Sequence, residues 1–192
     1  HIYLGDRDAH TVLKCTLDGK VVMTLGTEGK PSFQEPFNHP ADIAVAPNGD
    51  IYVADGYGNS HIHCFDAEGQ LRFSWGGNGS GPGEFDTVHS VFVDMDDGDK
   101  VYAADRYNNR VQFFTPNGDF LGEWTDLNLA NAVRKGPDGN FYVAELDHSV
   151  SVLSPQGEVL TRWGRTGVEL DDSDTGSGLP TSPSRNPMIK GK

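Results

Sequence analysis

Cysteine is scarce in this chain, with Cys15 and Cys64 as its two examples. They fall in the same slot of two successive sequence repeats. Equivalent points on stacked repeats lie farther apart than the roughly 4.4–6.8 Å Cα separation that a disulfide spans. Two free, buried thiols are therefore expected, and they leave the compartment open. Long apolar runs are missing as well. No stretch approaches the roughly 18 residues of a membrane-spanning helix, so a soluble chain with no membrane span is expected. Basic residues are in deficit, 15 Lys and Arg against 28 Asp and Glu, for a formal charge of −13. Such a balance repels a phosphate backbone instead of releasing its counterions, which disfavours nucleic acid as a partner. The chain also shows no initiating Met and no charged-then-apolar leader.

Glycine, by contrast, is plentiful. The 24 Gly and 11 Pro fit many tight turns, and 36% hydrophobic with 10% aromatic residues suffices for a packed sheet core. The turn glycines Gly19, Gly69, Gly118 and Gly157 are spaced by 50, 49 and 39 residues, and Leu25, Trp75, Trp124 and Trp163 repeat those intervals. Within one copy, from Phe37 to Phe85, four short β-type runs alternate with turns rich in Gly, Asn and Asp. A period of this size with four strands per copy reads as a β-propeller blade. One blade exposes both of its apolar faces, so it is stable only when stacked on neighbours.

The expected fold is all-β, a β-propeller of four-stranded antiparallel blades, about four of them over residues 1–36, 37–85, 86–126 and 127–164. Ile2-Tyr3-Leu4-Gly5-Asp6 matches Ile51-Tyr52-Val53-Ala54-Asp55, so the first copy lacks its innermost strand and a longer propeller is expected. Residues 165–192, rich in Asp, Gly, Ser and Pro, carry no strand pattern and read as a tail or an inter-blade loop. In a meander, alternate turns share one end of the sheet. The Asp55-to-Ser60 and Asp105-to-Arg110 loops and the segment Asp86–Ser90 therefore share one face, called here the top. A site is expected there, because loops carry function on a rigid scaffold.

The strings Pro40-Ala41-Asp42-Ile43-Ala44-Val45, Gly49-Asp50-Ile51-Tyr52-Val53-Ala54-Asp55 and Asn59-Ser60-His61-Ile62 resemble the NHL repeat, a propeller blade type. Copies two and three further resemble the peptidyl-α-hydroxyglycine α-amidating lyase branch. The residues that carry this are Asp55-Gly56-Tyr57-Gly58-Asn59-Ser60, Trp75-Gly76, Gly81-Pro82-Gly83-Glu84-Phe85, Val88-His89-Ser90 and Ala104-Asp105-Arg106 with Asn108 and Arg110. The resemblance implies a six-bladed whole that cleaves a peptidyl- or acyl-α-hydroxyglycine to an amide and glyoxylate. It assigns the base to Tyr57, its electrostatic partner to Arg106 and one of three zinc ligands to His89. These residue types suit such chemistry, because a tyrosine is a poor base at neutral pH unless a nearby cation favours its phenolate. Leu129-Ala130-Asn131, at the place in copy four that matches His89, holds no histidine, so the zinc ligand set is incomplete in this chain and the isolated chain is expected to be inactive.

Other features have simpler readings. His61 and His63 alternate along one strand and face the same way, but two ligands make at best an adventitious metal site. Asp94, Asp96, Asp97 and Asp99 look calcium-like, yet Gly98 breaks the EF-hand order, and a solvated acidic turn is expected. The Gly77-to-Gly83 run has no Lys and no following helix, so it reads as a connector and not a phosphate loop. The rival function is a non-catalytic NHL propeller that offers its top face to a protein or small ligand. The expected partner is a small-molecule or peptide substrate, with self-association through exposed blade faces as a second mode. A secreted or periplasmic full-length protein is compatible with this reading.

Overall fold

The computed structural model describes residues 1–164, and the tail or loop expected over 165–192 lies outside the described residues. Fifteen strands form four sheets. The first contains β1 (Ile2–Asp6), β2 (Thr11–Cys15) and β3 (Val21–Gly26), and the second β4 (Asp42–Val45), β5 (Ile51–Asp55), β6 (His61–Phe65) and β7 (Leu71–Gly76). The third contains β8 (Val88–Asp94), β9 (Lys100–Asp105), β10 (Arg110–Phe114) and β11 (Phe120–Trp124). The fourth contains β12 (Ala130–Lys135), β13 (Phe141–Glu145), β14 (Ser149–Leu153) and β15 (Val159–Gly164). Each sheet is an antiparallel meander in chain order, three-stranded in the first and four-stranded in the others. These are propeller blades, and the first starts on the strand equivalent to β5.

Some boundaries differ from the sequence reading. Strand β2 ends at Cys15 although Leu17 continues the apolar run, because Thr16 opens a turn whose carbonyl accepts from Gly19 N–H at 2.9 Å. Strands β8 and β12 each begin two residues earlier than their apolar runs indicate, at Val88 and Ala130. Both early starts contain a β-bulge: the register slips between Val88 and Ser90, and between Ala130 and Ala132. His89 and Asn131 are the extra residues.

Four blades leave three interfaces, and each holds one apolar cluster. Val12, Leu25, Phe37, Ile51, Val53 and Phe65 join blades one and two. Tyr52, Ile62, Phe85, Val91 and Phe114 lie between two and three. Tyr102, Trp124, Val133, Phe141 and Leu153 lie between three and four. Cys15 and Cys64 sit buried and unbridged in this layer, and burial pushes the Cys64 thiol up to about 11.

In blades two to four a buried acid at the end of the second strand ties the blade to the segment arriving from the previous one. Asp55 accepts Asn38 N–H, Asp105 accepts Asp86 N–H and Glu145 accepts Asn128 N–H, at 2.9, 2.8 and 3.0 Å. Taking an unpaired carboxylate out of water is costly, so each has further donors. Asp105 accepts from Arg110 Nε and Asn108 at 2.8 Å. Arg110 in turn donates to the carbonyls of Ser80, Gly81 and Glu84, which ties down the Gly77-to-Gly83 connector. In blade two the corresponding donors are Asn59 and His63, with His63 Nδ1 accepting from Ser74 at 2.7 Å. Both ring nitrogens of His63 are engaged in this network and the ring stacks on His61.

The acidic turn after β8 is not simply solvated. Asp94 is buried and receives Lys135 Nζ at 2.9 Å, which draws the turn against blade four. Among the described residues, no helix is long and apolar enough to cross a membrane.

Candidate functional site on the top face

The top face carries the loops after β1, β5, β9 and β13 together with the starts of β4, β8 and β12. Tyr57 lies in the β5–β6 loop, Arg106 in the β9–β10 loop and His89 at the start of β8. The structure brings these three side chains into contact. Tyr57 Oη is 2.8 Å from His89 Nε2, and Arg106 Nη2 is 3.4 Å from Tyr57 Oη. The Tyr57 and His89 rings meet edge to face, with centroids 5.4 Å apart.

Backbone contacts set this geometry. Gly56 packs directly on the Val88 backbone, so the tyrosine loop of blade two rests on the inner strand of blade three. Gly58 N–H donates to the Asn38 carbonyl at 3.0 Å. Arg106 N–H and Tyr107 N–H donate to the carbonyls of Thr87 and Asp86 at 3.2 and 3.1 Å. Just ahead of β8, Thr87 is left-handed at φ 60°, a rare conformation for a β-branched residue. Leu129 is left-handed at φ 49° in the same position of blade four. This turn followed by a bulge points His89 and Asn131 into the mouth, the usual effect of a bulge beside a site.

Asn131 is the residue that sequence reading passed over. Its side-chain oxygen accepts from Arg106 Nη2 at 2.6 Å, and its carbonyl accepts from His89 Nδ1 at 2.9 Å. Because a carbonyl only accepts, Nδ1 carries the imidazole proton and Nε2 presents a lone pair. Tyr57 O–H therefore donates to His89. Burial holds His89 below its ordinary pKa, outweighing the Asn131 carbonyl, and Arg106 adds to the lowering. The imidazole is neutral at pH 7. The signal for Asn131 was present in the sequence, since it occupies the slot of blade four that His89 occupies in blade three.

Electrostatically, two cations stand over the phenol ring. Arg106 lies 5.4 Å from the Tyr57 ring centroid and Arg7, from the β1–β2 loop, 5.5 Å from it. Arg106 is buried, and its Nε has no acceptor among the described residues. Tyr57 is 42% exposed, so the site opens outward. Beside it a cavity of about 200 Å³ runs between Asp42, His89, Ser90, Asn131 and Arg134. A larger groove of about 340 Å³ lies at the opposite end, by Phe92, Asp94 and Lys135. Its charged groups are committed to each other, so volume does not mark the chemistry here.

No metal site is complete among the described residues. Among the described residues, no group of three or more His, Cys, Asp or Glu side chains stands close enough to hold an ion. His89 offers one of the three protein ligands usual for catalytic zinc. Its Nε2 lone pair can meet a metal or the Tyr57 hydroxyl, not both. The acidic turn at Asp94 to Asp99 likewise falls short of a calcium site.

Comparison with known proteins agrees with the blade architecture. Residues 37–65, from Phe37 through β6, match the NHL repeat family. The chain carries an NHL repeat. It is 37% identical over 163 residues to human NHL repeat-containing protein 3, covering 78% of this chain and 46% of that protein. It is 39% identical over 129 residues to a probable peptidyl-α-hydroxyglycine α-amidating lyase of Caenorhabditis elegans, covering 60% of this chain and 37% of that one. The chain thus spans less than half the length of these curated relatives. Among solved structures, virginiamycin B lyase from Staphylococcus aureus superimposes with a TM-score of 0.64 at 19% identity, over 84% of this chain and 51% of that one. At that identity the likeness concerns the fold.

Proposed function

We propose that the top face of this NHL propeller belongs to a lyase that cleaves peptidyl- or acyl-α-hydroxyglycine to an amide and glyoxylate. The observation that carries the reading is the contact of Tyr57, from blade two, with both His89 and Arg106, from blade three. The likeness to amidating lyases supplies the substrate class.

The chemistry follows from the groups present. Tyr57 passes its proton to the neutral His89, and Arg106 stabilises the phenolate. The phenolate oxygen takes the hydroxyl proton of the carbinolamide. An oxygen electron pair forms the carbonyl, the C–N bond breaks with its electrons to nitrogen, and the nitrogen takes up the proton that His89 received. The products are an amide and glyoxylate, with no net gain or loss of protons.

Glyoxylate release from an N-acyl-α-hydroxyglycine, measured in the full-length protein that carries this chain, tests the reading. Tyr57→Phe removes the hydroxyl and keeps the ring, and the rate is expected to fall at least about 100-fold, the usual size of a general-base contribution. The melting temperature should hold, since the ring is partly exposed. A Tyr57→Phe variant as active as the parent would refute the assignment. Binding of the acylated ligand without turnover would identify the top face as a binding module instead.

A further inference from the structure

Arg106 and Arg7 flank the same ring but are differently engaged. Arg106 is buried, divides Nη2 between Asn131 and Tyr57, and its Nε is closed to solvent. Arg134, in the adjoining cavity, has both terminal nitrogens engaged: Nη1 donates to Ser90 Oγ and the Val91 and Val133 carbonyls, and Nη2 to Asp42. Arg7 is different. Its side chain makes a single hydrogen bond among the described residues, from Nε to Asp8 Oδ1 at 2.9 Å. That pair is exposed on both sides, 56% and 75%, so it is weakly held. The terminal nitrogens Nη1 and Nη2 make no hydrogen bond among the described residues.

We propose that Arg7 is the specificity-determining residue of this site, receiving the carboxylate of an acyl-α-hydroxyglycine while Tyr57 acts on the adjacent hydroxyl. The inference rests on the lyase reading for its substrate. In that substrate the carboxylate and the hydroxyl are on the same carbon. The group that holds the carboxylate must therefore stand within one side chain's reach of the phenol, as Arg7 does over the Tyr57 ring. A guanidinium with two free terminal nitrogens matches the two carboxylate oxygens in a planar, bidentate fork. Blade one, which supplies neither the base nor its partners, then contributes selection among substrates.

The test compares an N-acyl-α-hydroxyglycine with its α-hydroxyglycinamide, which presents the same hydroxyl without the negative charge. In Arg7→Gln the KM for the acid is expected to rise about tenfold, the loss of one charge-assisted contact, while the KM for the amide moves less than about twofold. Arg7→Lys should recover part of the preference for the acid. Equal change for both substrates, or no change for either, overturns the inference and leaves the lyase reading standing. If the full-length protein turns over neither substrate, the lyase reading fails, and NMR titration with N-acetylglycine decides the inference separately. Perturbation of Tyr57 resonances that is lost in Arg7→Gln sustains a carboxylate site, and identical titrations of parent and variant dismiss it.

Discussion

Placing an alanine at Gly56 would show whether backbone packing between blades sets the site. A Cβ there would stand 2.6 and 2.8 Å from the Val88 carbonyl carbon and nitrogen, and closer still to the oxygen. Gly56 does not lie in the left-handed region, so the cost is steric alone. No side-chain rotation relieves an overlap with backbone, and the β5–β6 loop must lift from β8 and carry Tyr57 with it. Overpacking typically costs 1–3 kcal/mol, and a backbone obstacle puts this case near the top, about 3 kcal/mol. For a body of this size, that lowers the melting temperature by about 6–12 °C. Gly5→Ala is the matched control. Its Cβ meets the end of the Ile43 side chain at 3.4 Å, an ordinary contact. Reduced freedom of the unfolded chain then offsets any crowding, and the melting temperature should stay within about 2 °C of the parent or rise. Thermal scans give the stability, and the imidazole nitrogen shifts of His89 report on its bond to Tyr57. A Gly56→Ala variant as stable as Gly5→Ala, with unchanged His89 shifts, would refute the argument.

Two further outcomes follow from charge and burial. Arg110→Met strands the buried Asp105 carboxylate and the carbonyls that Arg110 satisfies, so urea denaturation should show a loss of about 3–5 kcal/mol. A loss under about 1 kcal/mol would mean that the pair is dispensable. His89, held below its ordinary pKa, binds its proton more readily in the unfolded chain than in the folded one. Its contribution is complete above the unfolded value of about 6.5 and is lost as pH falls through the lower folded value. His89→Gln should therefore flatten the fall in stability between about pH 6.5 and 5 relative to the parent. Parallel curves for the two proteins would exclude the buried neutral imidazole.

The blade architecture could be read directly because its causes are local and repeated. Turn chemistry at Gly69 and its equivalents and alternating strands appear in every copy, at spacings of 50, 49 and 39 residues, and a blade has few other ways to fold. Matching of motif residues also singled out Tyr57, His89 and Arg106. Two features stayed hidden. The bulges ahead of Ser90 and Ala132 depend on how the incoming segment meets the neighbouring sheet, and apolar alternation begins only after them. The reach of Arg7 from blade one to a ring of blade two depends on how far adjacent blades are rotated.

By itself, the order of residues determined four copies of one meander, the end of the sheets at which their loops gather and the side chains suited to proton transfer. Only tertiary structure decided which of those side chains touch: that Tyr57 donates to His89, that Asn131 holds both partners and that Arg7 keeps two nitrogens open. The physical reason is range. Strands and turns follow from neighbours within a few residues, whereas a hydrogen bond between blades depends on the packing of whole sheets whose cores must first close against one another.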